Sequence, residues 1–236
     1  MRAAAIQIPA RWDQAERTLA ELASVVPPGA FDLIVLPECS INGYVSPDGD
    51  CDVRRFAEPL HGPTLALFRS LSQRWDAAIA APLVERSDAL VFNTHVVVSA
   101  SGELLAHYRK RHLWHPETTT TPGDLTYPTF AIGDHQCTLA ICYDVHFLDD
   151  EATTQLETAD TLIFPSAWVD LEDSRPTLFK EIALRYNINI VNANWGRGVP
   201  RQPGQGNAQI VDRTGVQVSV APSRKDVITW AEATLV

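Results

Sequence analysis

Apolar residues recur along this chain with two different periods, and the changes from one to the other mark its elements. Arg2 to Ile8 is a short, almost wholly apolar run that predicts a first strand. From Asp13 to Val26 the apolar positions Ala15, Leu19, Leu22 and Val26 fall three and four residues apart, the stripe of an amphipathic helix, and Pro27-Pro28-Gly29 closes it. Phe31 to Leu36 is apolar except for Asp32, so it predicts a central strand buried on both faces. A loop rich in Gly, Pro and Asp runs from Pro37 to about Asp52. Gly62 to Trp75 then sets Leu65, Phe68, Leu71 and Trp75 on one helical face. Ala77 to Val84, Leu90 to Ser99 and Leu104 to Arg109 predict successive strands, with Ser101-Gly102 as a hairpin turn.

The second half opens with a loop from His112 to Thr126 that holds four consecutive threonines and Pro122-Gly123. Tyr127 to Ile132 and Gln136 to Cys142 predict a hairpin around Gly133-Asp134. A helix (about 148–158), a strand (161–164), a helix (about 175–186) and a strand (188–193) follow. A Gly- and Pro-rich loop spans Gly196 to Gly206. Asn207 to Arg213, Val216 to Ala221 and Val227 to Trp230 predict closing strands, the first two joined at Thr214-Gly215. No repeat or long linker interrupts the pattern, so residues 1–236 are expected to form one domain. Strands such as LIVL and TLIF need cover on both faces, and the amphipathic helices supply one layer of it. The fold class expected is α/β, with two mixed sheets face to face and helices outside.

Bulk properties narrow the function. A chain of 236 residues can bury a substantial core, and 45% hydrophobic with 20% charged residues is ordinary for a soluble enzyme. A net charge of -10 argues against binding nucleic acid or an anionic membrane, either of which needs a basic face. The cysteines at 39, 51, 137 and 142 form no CxxC pair and no disulfide framework. The amino terminus is too poor in apolar residues for a signal peptide, and no apolar run reaches membrane-spanning length. A reducing cytoplasm is the expected location.

The candidate chemistry centres on QCTLAICYDVHF, Gln136 to Phe147. Its apolar half predicts a strand ending at Cys142, and Asp149, Asp150 and Glu151 supply first-turn acids for a helix just beyond. A thiol between a strand end and a helix amino terminus is expected to be partly exposed, with its thiolate favoured by the helix dipole. A cysteine nucleophile also needs a base, a group to hold the oxyanion and a proton for the leaving group. Glu38, ending a buried strand in a proline-led loop, has the setting for a raised pKa and suits a general base. Lys110 likewise ends a predicted strand. The three strand ends can meet on one rim, although strand ends also carry charges simply for solubility.

LPECSINGY, YRKRHLW and ICYDVHF, in that order, resemble the three signature segments of the nitrilase superfamily of carbon–nitrogen hydrolases, with PETTTTPGD and TLIFPSAW as further family-like segments between and after them. The resemblance runs from the first strand to GNAQIVDRTG. It implies a four-layer αββα sandwich and a Glu–Lys–Cys triad: Glu38 as base, Lys110 to stabilise the tetrahedral intermediate, Cys142 as nucleophile. It further implies Glu117 as a second glutamate positioning the lysine, the backbone N–H of Tyr143 as an oxyanion donor, no metal or organic cofactor, and pairing into homodimers. The stretch ICYDVHFLDDEATTQL with ADTLIFPSAWVD leans toward the biotinidase and vanin (pantetheinase) branch, which favours a small linear amide as substrate. A nitrile or N-carbamoyl substrate, acyl transfer to an amine, and an inactive binding protein remain alternatives on the same site. Leu184-Arg185-Tyr186-Asn187 and Gly206-Asn207-Ala208 depart from the family pattern at positions that bear on packing or substrate fit.

Other residues have plainer readings. Cys39, Cys51 and Cys137 are expected to be structural thiols. His112 and His115 lack the further ligands a zinc site needs, and no GxSxG elbow is present. His146 is expected to line the pocket or pack rather than act as a dyad partner. Tyr44, Trp114 and Trp168 are candidates for substrate contact, Trp168 foremost. Asp144 is expected to order the backbone around Cys142, and Arg109 and Arg111 to face away from Lys110 into salt bridges.

Overall fold

The computed structural model describes residues 1–170, 172–199 and 206–236. The chain lays down β1 (Arg2–Pro9), α1 (Ala15–Val25), β2 (Leu33–Val35), α2 (Pro63–Trp75), β3 (Ala78–Ser87), β4 (Leu90–Val98) and β5 (Leu104–Arg109). It continues with β6 (Thr129–Ile132), β7 (His135–Leu139), α3 (Leu148–Glu151), α4 (Thr153–Thr158), β8 (Thr161–Pro165), α5 (Arg175–Tyr186) and β9 (Asn189–Gly196). The last strands are β10 (Gln209–Val211), β11 (Gln217–Val220) and β12 (Thr229–Thr234).

Two mixed sheets result. One runs β5-β4-β3-β2-β1-β12, parallel at its centre and antiparallel at its flanks. The other repeats that plan as β6-β7-β8-β9-β10-β11. They join at one corner, where Gln7 to Pro9 of β1 pairs in parallel with Asn194 to Gly196 of β9.

Strand alternation divides the core into layers. Ala3, Ala5, Leu33, Val35, Ala78 and Ala80 pack in a cluster with Leu139, Ile163 and Val191 of the second sheet. Their alternates Ala4, Ile6, Ile34 and Ile79 pack with Leu22 of α1 and with Phe68, Leu71 and Trp75 of α2. On the far side of the second sheet, Phe164 meets Phe179 of α5 edge to face at 5.3 Å. The fold is thus an α/β sandwich with helices outside.

Three local outcomes differ from the sequence pattern. The strand expected over Gln136 to Cys142 ends at Leu139; the chain stays extended through Ile141, and Cys142 then takes a left-handed backbone (φ 47°) that no strand can continue through. The helix expected over 148–158 divides at Ala152 (φ -127°, ψ 13°), just before Thr153, whose hydroxyl bonds back to Asp149 O at 2.7 Å and competes with the helical ladder. Of the loop expected over Gly196 to Gly206, Gly196 belongs to β9, and 200–205 lie outside the described residues.

β4 carries a polar triplet, Asn93-Thr94-His95, inside an apolar run, and all three are buried. Thr94 donates to Glu85 Oε2 at 2.9 Å, and His95 Nε2 donates to Leu36 O at 3.2 Å. Burial holds His95 neutral, its pKa lowered from 6.5 to about 3. The unfolded chain takes up this proton below pH 6.5 and the folded chain does not, so stability falls as pH drops from 6.5 toward 3. The full cost approaches roughly 5 kcal/mol. His95→Gln, which keeps a donor for Leu36 O, is therefore expected to flatten the pH dependence of urea unfolding between pH 6.5 and 4 by about 1.4 kcal/mol per pH unit. Parallel curves for the two proteins would refute this.

Candidate active site

The candidate residues converge from separate strand ends. Past β2, Leu36 N–H still bonds Ala80 O at 2.9 Å, and Pro37 then swings Glu38 into the interior, where it is 0% exposed. The Trp195 indole N–H donates to Glu38 O at 2.9 Å and fixes the backbone there. Past β5, Lys110 N–H bonds Asn93 O at 2.8 Å, so Lys110 keeps strand register and is 1% exposed. Its neighbours point elsewhere, as alternation requires. Arg109 pairs with Glu85 at 2.6 Å and Asp124 at 2.9 Å, and Arg111 pairs with Glu151 at 2.9 Å. Burial pushes the Glu85 carboxyl up, but His107 and Arg109 outweigh it and hold the pKa at about 2.

Gly123 locks the end of β5 from the other side. Its N–H donates to Lys110 O at 2.7 Å, and a Cβ built there would stand 2.1 Å from Arg109 O. Gly123→Ala must displace the backbone that carries Lys110. It is expected to cost about 2 kcal/mol or more in chemical unfolding and at least tenfold in kcat, since small misplacements of reacting groups are expensive. Wild-type kcat in a folded variant would contradict that.

Lys110 Nζ donates to Glu38 Oε1 at 2.7 Å and to Glu117 Oε2 at 2.5 Å. The Asn93 amide bridges the same two carboxylates at 2.7 and 2.8 Å. Trp114 N–H holds Glu117 Oε2 at 2.8 Å, and Ala167 N–H holds Glu38 Oε2 at 3.0 Å. The Cys142 thiol lies near enough to Glu38, Lys110 and the Ala167 N–H for all three to act on its ionisation. Cys142 opens a 3-10 turn, Cys142–Phe147, whose first N–H groups precede any partner within the turn. Asp144 ties this turn down: it accepts from Ile141 N–H at 3.0 Å, His112 N–H at 2.9 Å and Tyr108 Oη at 2.8 Å.

Electrostatics follow from burial. Burial raises the Glu38 pKa, the Lys110 charge opposes the rise and the Glu117 charge adds to it. Burial alone would push the Lys110 ammonium down, but Glu38 and Glu117 overcome it and keep the lysine protonated well above its ordinary value. For Cys142, burial and the Glu38 charge push the thiol well up, and Lys110 recovers part of that. This corrects the expectation of a thiolate favoured by a helix dipole. The resting sulfur is a thiol, because it sits in a dry site beside a carboxylate at a single short turn. A base must take its proton for it to attack.

A cavity of about 260 Å³ opens on Cys142 and Ala167. Tyr44 and Trp114 form one wall, with ring centroids 6.3 Å apart. Tyr143, His146 and Trp168 form a second aromatic group, with centroids 5.1 and 6.1 Å apart, and Val169 and Asp170 complete the lining. Every residue expected from sequence to contact substrate therefore lines this space. Burial lowers the His146 pKa and favours its neutral form. The Trp168 indole N–H has no acceptor among the described residues. Sequence reading missed Asn93, whose signal was an amide in an otherwise apolar strand, and Ala167, whose contribution is a backbone N–H with no side-chain signature. It missed Asp170 as well.

The carbon-nitrogen hydrolase family profile matches residues 2–225, and the chain belongs to that family. An (R)-stereoselective amidase from a Pseudomonas species is 33% identical over 156 residues, which cover 65% of this chain and 54% of that protein. The deaminated glutathione amidase of Escherichia coli O157:H7 is 26% identical over 233 residues, 94% of this chain and 86% of that protein. Among solved structures, an amidase from Nesterenkonia AN1 of the nitrilase superfamily superposes with a TM-score of 0.84 at 21% identity, covering 99% of this chain and 90% of that one. The chain spans about half the length of the first two curated relatives it matches, at 54% and 48%.

Proposed function

We propose that the protein hydrolyses the C–N bond of a small linear amide through a thioester on Cys142, with Glu38, Lys110 and Cys142 as its triad. The observation that carries this reading is the buried set in which Lys110 bridges Glu38 and Glu117 at 2.7 and 2.5 Å while the Cys142 thiol, beside Glu38, faces a cavity. Glu38 takes the thiol proton as sulfur attacks the carbonyl carbon. The oxyanion is held by Lys110 and by the backbone N–H of Tyr143. The C–N bond then breaks, the proton on Glu38 passes to the departing nitrogen, and ammonia or an amine leaves. Water attacks the thioester with Glu38 again as base, releasing the carboxylic acid and restoring the thiol. A carboxylate that alternates between base and acid benefits from a raised pKa, and Glu38 has one. Glu117 and Asn93 act through the other two, as positioning residues.

On this reading the substrate is held without metal or cofactor. The cysteines are free thiols, the state a reducing cytoplasm maintains. Two copies are expected to pair through the helices that follow Cys142, where Leu184 on α5 stands exposed. The test is incubation with short amides and reactive esters, scored for released ammonia and, by mass spectrometry of the intact protein and its peptides, for an acyl group on Cys142. Turnover without adduct dependence on Cys142, or ammonia released from nitriles but from no amide, would defeat the proposal.

A further inference from the structure

We infer that the amide accepted here carries an ammonium group on its acyl chain, held between the aromatic walls of the cavity and the carboxylate of Asp170. This rests on reading the site as a thioester-forming amidase and adds the substrate class. Apart from the reacting cluster, Asp170 is the one acidic or basic side chain, His146 aside, among the described residues lining the cavity. It is exposed, and its partner is the Ser174 hydroxyl at 2.8 Å rather than a cation. Asp173, close by in the chain, is instead neutralised by Arg175 at 2.7 Å. A carboxylate with no cation partner among the described residues, lining a cavity with Tyr143, Trp168, Tyr44 and Trp114, is the arrangement a cation recognises, because aromatic rings and carboxylate both attract it.

The alternatives fit less well. An anionic chain would meet the charge of Asp170 and find only neutral donors, from Trp168, His146 and the two tyrosines, since the Lys110 ammonium is committed to Glu38 and Glu117. A neutral alkyl chain would suit the rings but leave Asp170 with no role. Asp170 lies three residues beyond Ala167, whose N–H serves Glu38, so their Cα atoms are at most about 11 Å apart. The ammonium therefore belongs a few bonds from the scissile carbonyl. With a primary amide the leaving group is ammonia, so the charge sits on the acyl side.

Primary amides of different charge test this: β-alaninamide (cationic) and the size-matched butyramide (neutral), with the slightly larger succinamate (anionic). The expected kcat/KM for β-alaninamide exceeds that for butyramide at least tenfold, mostly through KM, with succinamate poorest. Asp170→Asn should cut the cationic-to-neutral ratio at least fivefold, and Asp170→Lys should invert it. An unchanged ratio in these exposed-site variants overturns the inference. Binding to the Cys142→Ala protein by calorimetry removes chemistry from the question. Equal affinity for β-alaninamide and butyramide, or no saturable binding of β-alaninamide, overturns it even if nothing is turned over. Acylation of Cys142 by neutral amides with no cationic preference would overturn this inference alone and leave the hydrolase reading standing.

Discussion

Cys142→Ala is expected to reduce amide hydrolysis by a factor of at least about ten thousand, with unfolding free energy changed by no more than about 1 kcal/mol. The size of the loss follows from the proposed covalent route, in which without sulfur there is no thioester and water cannot reach the substrate carbonyl with the same alignment. The small stability change follows from the site. Cys142 loses one atom at the edge of an existing cavity, while the turn that carries it is held by Asp144 through Ile141 N–H and His112 N–H. Glu38→Gln should cost a comparable factor, because the buried thiol cannot ionise unaided. The double variant should lose little beyond either single one, as expected for residues that act as a unit. Steady-state kinetics on purified proteins, with circular dichroism to confirm folding, measures this. Additive losses would mean that Glu38 and Cys142 serve separate steps.

Periodicity reached the layers well and the site in part. The helical stripe Leu65, Phe68, Leu71 and Trp75 is the face α2 buries, and the alternation in β1 is what lets it pack between both layers. Strand ends, where a run of apolar residues stops at a charge, located Glu38 and Lys110, because a buried strand places its next residue at the sheet's rim. Three features had no such signal. The left-handed backbone at Cys142 is one: Asp144, expected to order this turn, does bond Ile141 N–H, but cysteine has no intrinsic preference for that conformation. The thiol's raised pKa comes first from burial and then from how near Glu38 lies, both set by long-range packing that local sequence does not encode. The corner joining Gln7–Pro9 to Asn194–Gly196 pairs segments nearly the whole chain apart, and only the assembled sandwich reveals it.

Lys110→Met is expected to be the most damaging single change for stability, about 3–5 kcal/mol, besides abolishing turnover. Methionine fills the volume, so packing is largely conserved and the loss isolates the charge. What remains is two buried carboxylates, Glu38 and Glu117, sharing the Asn93 amide with no cation between them. Two like charges at this separation in a dry site cannot both persist, so one takes a proton. Its folded-state pKa then lies above the unfolded value, and the folded variant binds more protons than the unfolded one as pH falls. Stability accordingly rises toward acid pH: the deficit relative to wild type should be largest near pH 8 and shrink by pH 5. Lys110→Arg keeps the charge but not the fit, since a planar guanidinium replaces a compact ammonium in a space with 0% side-chain exposure. It should recover part of the stability at pH 8 and none of the turnover. Urea titrations of the three proteins at pH 5 and pH 8 decide the matter. A pH-independent deficit for Lys110→Met would show that the ammonium does not offset the repulsion between the two carboxylates.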